Sequence, residues 1–348
     1  ALAFSNSPTA GEFSIIDVRS QRSVFTGVAK PVPGSWGQFE HHAELDFSPL
    51  RTPGRFFVRF KRTDSPQFEI AADTYRELPD QSLEFMRQQR CGYNPWLDAV
   101  CHSFDGRTAY GPLPAGTYLK ATGGWHDAGD LLKYLLTSSN ATAQLLLAYQ
   151  LSDKTRTRSL FADRFNALGQ PVSNSHPDIL DEARWGLDWM LRLHPTSNQL
   201  YHQVADDRDH SGWRLPQKEI VDYGWGPGSF RVVYFADGKP QGLRQYKSES
   251  NGIANLAGRY AAAMALGFQI FSRHPKTRAY SQTLLRAGRE VYQLGKAKEG
   301  VQQGNSYGAP YRYAETTWAD DMEWGAAELY RATGEFERAR ADVDEAWL

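Results

Sequence analysis

Cysteine is nearly missing from this sequence: 348 residues contain two, Cys91 and Cys101. At most one disulfide can form, so the fold must rest on a buried apolar core rather than on covalent staples. Excess charge is missing as well. The 39 Lys and Arg against 40 Asp and Glu leave a net charge of -1, which gives neither nucleic acid nor an anionic membrane surface a complementary field. No window approaches about 18 consecutive apolar residues, so no bilayer-spanning helix is expected. A Walker loop, GxGxxG after a strand and HExxH are all absent. Nucleotide and open-site zinc-protease chemistry therefore lack their carriers.

Aromatic residues are plentiful, with 10 Trp, 17 Tyr and 18 Phe; these fill cores and also suit a protein that handles sugar rings. The length suits two domains. Residues 1 to about 73 read as strands: EFSIIDV, SVFTGVA, HHAELDF, RFFVRFK and FEIAA are short, β-branched or aromatic, and separated by turn residues at sandwich-like intervals. From ADTYRELPD onward the period changes. SLEFMRQQ, LLKYLLTSSNATAQLLLAYQL, DILDEARWGLDWMLRLH, NGIANLAGRYAAAMALGFQIF, KTRAYSQTLLRAGREVYQLGKA, WADDMEWGAAELYRAT and FERARADVDEAWL carry apolar residues at helical spacing. About seven helices in successive hairpins predict an α/α toroid. The longest non-helical stretch, roughly 195 to 250, holds Trp213, Tyr223, Trp225 and Tyr234. A loop of that length in a compact domain is usually functional, which makes Trp213 and Trp225 candidate substrate contacts.

Three groupings could do chemistry. The first is GGWHDAGD, residues 123 to 130, directly before an apolar run. Asp130 reads as a helix N-cap, but capping accounts for neither Asp127 nor the Trp125-His126 pair. Two carboxylates at a helix start are favoured as anions by the dipole, and an ionised carboxylate can take a proton from water. The second grouping is Cys91, Cys101, His102 and His126, a closed tetrahedral set for zinc, with no open position for catalysis; the rival is a Cys91–Cys101 disulfide in an exported protein. The third comprises Asp206, Asp207 and Asp209, and Asp320 with Asp321. Clustered acids can hold calcium, but neither group has an EF-hand pattern, and both read first as solvated loops or helix starts.

GGWHDAGDLLKY resembles the signature of glycoside hydrolase family 9, the inverting cellulases and related β-glucanases. The resemblance continues through CGYNPWLDAVCHSFDG, DILDEARWGLDWMLRLHP, QVADDRDHSGWRLP and WADDMEWGAAELYRATGE, and spans nearly the whole chain. It implies an immunoglobulin-like β-sandwich over residues 1–74, its first strand missing, and an (α/α)6 catalytic toroid over 75–348. It implies Asp130 as general base, with Asp127 helping to hold the attacking water. It implies structural zinc on Cys91, Cys101, His102 and His126, and places His194 in the sugar cleft. Asp320 and Asp321 fall where relatives hold calcium, although Thr316-Thr317 stands where Ser-Gly is usual. A β-glucan or cello-oligosaccharide substrate is expected, without nucleic acid or membrane, acted on by a monomer exported by a bacterium.

The chain opens on ALAF and stops at DEAWL within a helical pattern, so both ends are expected to be cut. The family's general acid, a Glu in an Asn-Glu motif following a His-x-Arg segment, is expected beyond Leu348; Glu335, Glu337 and Glu345 are weaker substitutes. The fragment alone is expected to be inactive, with the last third of the toroid missing. Two rivals remain: an exo-acting β-glucosidase or exo-β-glucosaminidase of the same family, and a non-catalytic carbohydrate-binding protein. The second has no use for a water-activating aspartate pair.

Overall fold

A computed structural model describes residues 1–152, 158–162, 164–165, 171–228, 230–309 and 312–334. The chain divides into two compact units, Ala1–Asp80 and Gln81–Leu348.

The first unit is strand-built. β1 (Leu2–Ser5), β5 (His41–Glu44) and β4 (Lys30–Val32) form one antiparallel sheet. β3 (Ser23–Val28), β2 (Glu12–Asp17), β6 (Gly54–Phe60) and β7 (Thr63–Asp64) form a second, with β8 (Phe68–Ile70) also paired to β6. Phe13, Ile15, Phe56 and Val58 from the second sheet meet Ala43 from the first in one apolar core. Their every-other-residue spacing is what a sheet with one buried face requires. The expected sandwich is present.

The second unit is mainly helical. Among the described residues it has α1 (Leu78–Gln88, which begins in the first unit), α2 (Leu135–Leu151), α3 (Asp178–Arg192), α4 (Ala254–Phe271), α5 (Arg278–Ala297) and α6 (Ala319–Thr333). The helix expected over FERARADVDEAWL, with Glu335, Glu337 and Glu345, lies outside the described residues. α4 is apolar on nearly all sides and buried along most of its length, as a helix enclosed by neighbours must be. It packs against α2, α5 and α6.

Two sequence expectations change here. The 195–250 stretch is partly sheet rather than loop: β15 (Tyr201–Val204) pairs antiparallel with β16 (Val232–Phe235). This hairpin is flanked by β11 (Arg107–Ala109), parallel to β16, and β12 (Lys133–Tyr134), antiparallel to β15. Two minor hairpins, β9 (Tyr93–Asn94) with β10 (Ala99–Val100) and β13 (Arg164–Phe165) with β14 (Pro171–Val172), complete the strands. The second change concerns the helix after GGWHDAGD. It begins at Leu135, not at Leu131, and Tyr134 is its N-cap without a side-chain cap bond. Pairing of Lys133 and Tyr134 with Val204 and Gln203 holds those residues extended, so Asp130 caps nothing.

Candidate active site

The Gly123-Gly124 pair is explained by close approach. Both take positive φ, and a Cβ on Gly124 would lie 2.6 Å from the Trp189 ring. The turn this permits delivers Trp125 inward, where its indole N–H donates to Glu182 at 2.6 Å. Glu182 also accepts from Arg90. Trp125 is 4% exposed, so it is packing and not a sugar platform.

The next residue, His126, turns toward Cys91, Cys101 and His102, and one ligand atom from each of the four lies within 4.8 Å of the others. Cys91 Sγ is 3.6 Å from His102 Nδ1 and Cys101 Sγ is 3.8 Å from His126 Nε2. The two imidazole nitrogens are 3.3 Å apart. A zinc tetrahedron with bonds of about 2.3 Å to sulfur and 2.05 Å to nitrogen has S···N edges of about 3.6 Å and N···N edges of about 3.3 Å. The residues therefore fit a closed zinc site, and both thiols are free, against the disulfide. Burial opposes ionisation of Cys91, but the Cys101 thiol and the Lys133 ammonium outweigh it and hold its thiol well below the usual range. Glu219 lies 3.6 Å from His102 Nε2. Burial pushes Glu219 up, yet His102 and Arg214 hold it down at about 2, leaving an anion where a ligating histidine commonly finds its outer partner.

Asp127 and Asp130 sit on the loop after the cluster. The Asp127 N–H donates to Leu132 O at 2.7 Å, closing the loop on itself. Asp127 Oδ1 accepts from the Thr137 hydroxyl at 2.7 Å, in the first turn of α2, and Oδ2 accepts from the Tyr313 hydroxyl at 2.5 Å. Asp130 Oδ2 is 2.5 Å from His210 Nε2, with both side chains partly open to solvent. Two recesses adjoin the pair. One, of about 380 Å³, is lined by Phe85, Trp125, Asp127, Thr137 and Trp213. The other, of about 360 Å³, is lined by Asp130, Asp209, His210 and Trp213. Trp213 stands between them, 93% exposed.

His210 and Tyr313 were not singled out from the sequence. Each is one aromatic among many there, and the chain distances to Asp130 and Asp127 hide the contacts. Trp225 packs beside Gly116 and lines neither recess. His194 is buried at the end of α3, its ring on Gln199 O at 2.8 Å and Glu290 Oε2 at 2.9 Å. None of these partners belongs to the aspartate pair.

The acidic clusters also differ from expectation. Asp206, Asp207 and Asp209 are buried, not solvated. Arg208 and the Tyr234 hydroxyl bond Asp206, backbone N–H groups of Tyr307, Gly308 and Ala309 bond Asp207, and Arg231 bonds Asp209. Each acid meets a compensating donor set, which is what lets it leave water. Asp320 and Asp321 do not fit calcium. The Arg259 guanidinium already stands 2.5 Å from Asp321 and 3.3 Å from Glu315. Among the described residues, Asp321 Oδ2 is the lone buried oxygen there without a partner, whereas calcium takes about six to eight oxygens.

Comparison with known proteins accords with these features. The family model described as "Glycosyl hydrolase family 9" matches residues 75–346, and "Cellulase N-terminal ig-like domain" matches residues 1–65. Endoglucanase C of Cellulomonas fimi is 28% identical over 84% of this chain and 26% of its own length. The xyloglucan-specific endo-beta-1,4-glucanase BoGH9A of Bacteroides ovatus is 27% identical over 96% of this chain and 55% of its own. The chain thus spans about half or less of these relatives. The crystal structure of a metagenome-derived family 9 endoglucanase superposes with TM-score 0.72 at 27% identity, over 97% of this chain and 57% of that one. A Zn-binding triple mutant of endoglucanase J30 shares the fold, with TM-score 0.74 at 24% identity over 99% and 61%. On the family match over most of its length, the chain belongs to glycosyl hydrolase family 9.

Proposed function

We propose that this chain carries the water-activating half of an inverting glycoside hydrolase acting on β-1,4-glucan, with Asp130 as general base and Asp127 as its partner on the same water. The observation that carries the reading is the loop from 127 to 132. Two carboxylates are held there at the mouths of two recesses, Asp127 by the Thr137 and Tyr313 hydroxyls and Asp130 by the Leu132 N–H and His210, beside an exposed indole. An inverting hydrolase needs a carboxylate to activate water and a second carboxyl group, roughly 6.5–9.5 Å away, to protonate the leaving oxygen. We assign the base and leave the acid unassigned. The named activities of the relatives, endoglucanase and xyloglucan-specific endoglucanase, support a β-1,4-glucan as the substrate class.

We read zinc, held by Cys91, Cys101, His102 and His126, as the support for this loop. When bound it supplies no chemistry to the sugar, because its four positions are filled. His126 adjoins Asp127 in sequence, so anchoring one fixes the other. Residues 1–74 form the immunoglobulin-like domain in this reading, and 75–348 belong to an (α/α)6 catalytic domain. A polymeric glucan cannot enter a cell, so the reading calls for export, with the enzyme working as a monomer.

The test is Asp130→Asn in the protein at its natural length, assayed on soluble cellulose. Turnover should fall by about 10²–10⁴-fold, the usual value of a positioned acid–base group, while cello-oligosaccharide binding persists. A variant that keeps more than about a tenth of kcat removes Asp130 from the role. NMR of the first-formed reducing end should show the inverted anomer; retention of configuration would exclude the mechanism.

A further inference from the structure

We propose that Arg231 is a positioning residue whose single buried guanidinium ties the segment bearing Asp130 to the segment bearing His210. The catalytic meaning of this tie rests on the function proposed above; the tie itself does not. Arg231 is fully buried. Its Nε and Nη2 donate to the two oxygens of Asp105, each at 2.8 Å. Its Nη1 donates to Leu131 O and to Asp209 Oδ2, both at 2.7 Å. Leu131 directly follows Asp130, and Asp209 directly precedes His210.

The fold makes such a tie necessary. β12 and β15 pair only as far as Lys133 and Val204. The chain departs from that last rung on both sides, toward Asp130 one way and toward His210 the other. Leu131 holds φ at +62°, which a side-chain-bearing residue keeps only when its surroundings over-determine it; the bond to its carbonyl is one such constraint. Asp209 is fixed from its other oxygen by the Tyr223 hydroxyl at 2.9 Å. The 2.5 Å approach of His210 to Asp130 therefore depends on two loops whose shared anchor is Arg231.

Charge is balanced around the anchor. Lys133 also meets Asp105, at 2.8 Å, so two buried cations face the two buried anions Asp105 and Asp209. Buried ion groups cost desolvation that apolar packing would not. What they add is direction: the planar fork grips both Asp105 oxygens while its remaining nitrogen reaches Leu131 and Asp209, a fixed geometry that a point-like ammonium does not reproduce. Lys133 Nζ is 3.3 Å and Arg231 Nη2 4.0 Å from Cys91 Sγ, so the same network abuts the cysteine–histidine cluster.

The experiment is amide hydrogen exchange on the zinc-loaded, natural-length protein and its Arg231→Lys variant, with kinetics on soluble cellulose. Exchange in residues 128–132 and 206–211 should rise together, by at least about tenfold, while α4 and α5 hold their protection. The kcat should fall by about 10²-fold, the cost of an ångström of misplacement, with KM within about twofold. Unchanged exchange, loosening of one segment alone, or a uniform rise across the molecule would overturn the proposal. If Arg231→Lys does not fold, Asp209→Asn replaces it; this keeps the bonds to Asp105 and Leu131, so only 206–211 should loosen, and any other pattern refutes the tie. Joint loosening in a protein that hydrolyses no glucan would retire the function and leave the tie standing.

Discussion

Trp213 is the most exposed large side chain of the site, and what holds its ring is the missing side chain of Gly129. A Cβ there would come within 2.2 Å of the indole edge. Gly129→Ala should therefore push the ring off its seat while leaving global stability almost unchanged, because the ring is free to swing into solvent. If Trp213 lies under a sugar, KM for cello-oligosaccharides should rise on the order of fivefold, about 1 kcal/mol, with kcat less affected. Trp213→Ala should do the same, and the double variant little more, since both remove one contact. Tryptophan fluorescence titrated with cellohexaose reads the effect, and an unchanged KM in Gly129→Ala would take the indole out of the cleft.

At the scale of elements, β15 carries much of the site's support in four buried residues. Its His202 is fully enclosed, with Nε2 donating to Gln241 Oε1 at 3.0 Å, and burial pushes its pKa down to about 4. Unfolded histidine titrates near 6.5, so the folded state binds this proton less readily than the unfolded chain. The resulting stability is complete above about pH 6.5 and is lost as pH falls toward 4, to a total on the order of 3 kcal/mol. Urea unfolding at pH 7 and pH 4.5 should show that loss, and His202→Gln should shrink it. Parallel losses in both proteins would show that other groups, the zinc ligands among them, carry the acid sensitivity. The helices were largely legible: six runs of apolar spacing became six helices within a few residues of the expected bounds. β12 was not, because LLKYLL has no alternation to separate it from the helix that follows; its extended form comes from a partner about 70 residues away.

For the whole molecule, the sharpest expectation concerns metal. One zinc per chain should survive dialysis, and Cys91 and Cys101 should resist thiol reagents until the metal is removed. Cys91→Ser should lower stability by several kcal/mol, since a structural zinc site forms only with the fold and returns its binding energy to it. Elemental analysis with thiol titration checks the first point and thermal unfolding the second. A chain with no zinc, or with its thiols freely reactive, would remove the support assigned to the loop. The four ligands come from three stretches brought together by backbone bonds, Cys91 N–H to Gly124 O and His126 N–H to Gln89 O among them. Metal and loop should therefore be lost together.

The sequence by itself carried residue types and local periods. It showed a strand-rich start, a helical remainder, four metal-seeking side chains and two aspartates three apart in a loop before an apolar run. Those features depend on neighbours in the chain or on which atoms a side chain offers. Tertiary structure alone decided the rest. Asp206, Asp207 and Asp209 read as a solvated run and are buried, because their compensating donors lie up to about a hundred residues away. Asp321 read as a calcium ligand and faces Arg259, 62 residues distant. Tyr313 and Arg231 had no mark on them at all, and His210 none beyond lying in a stretch that resembles the family. Burial, ion pairing and the direction of a hydrogen bond are properties of atoms that meet only when the chain has folded, and no spacing along it records them.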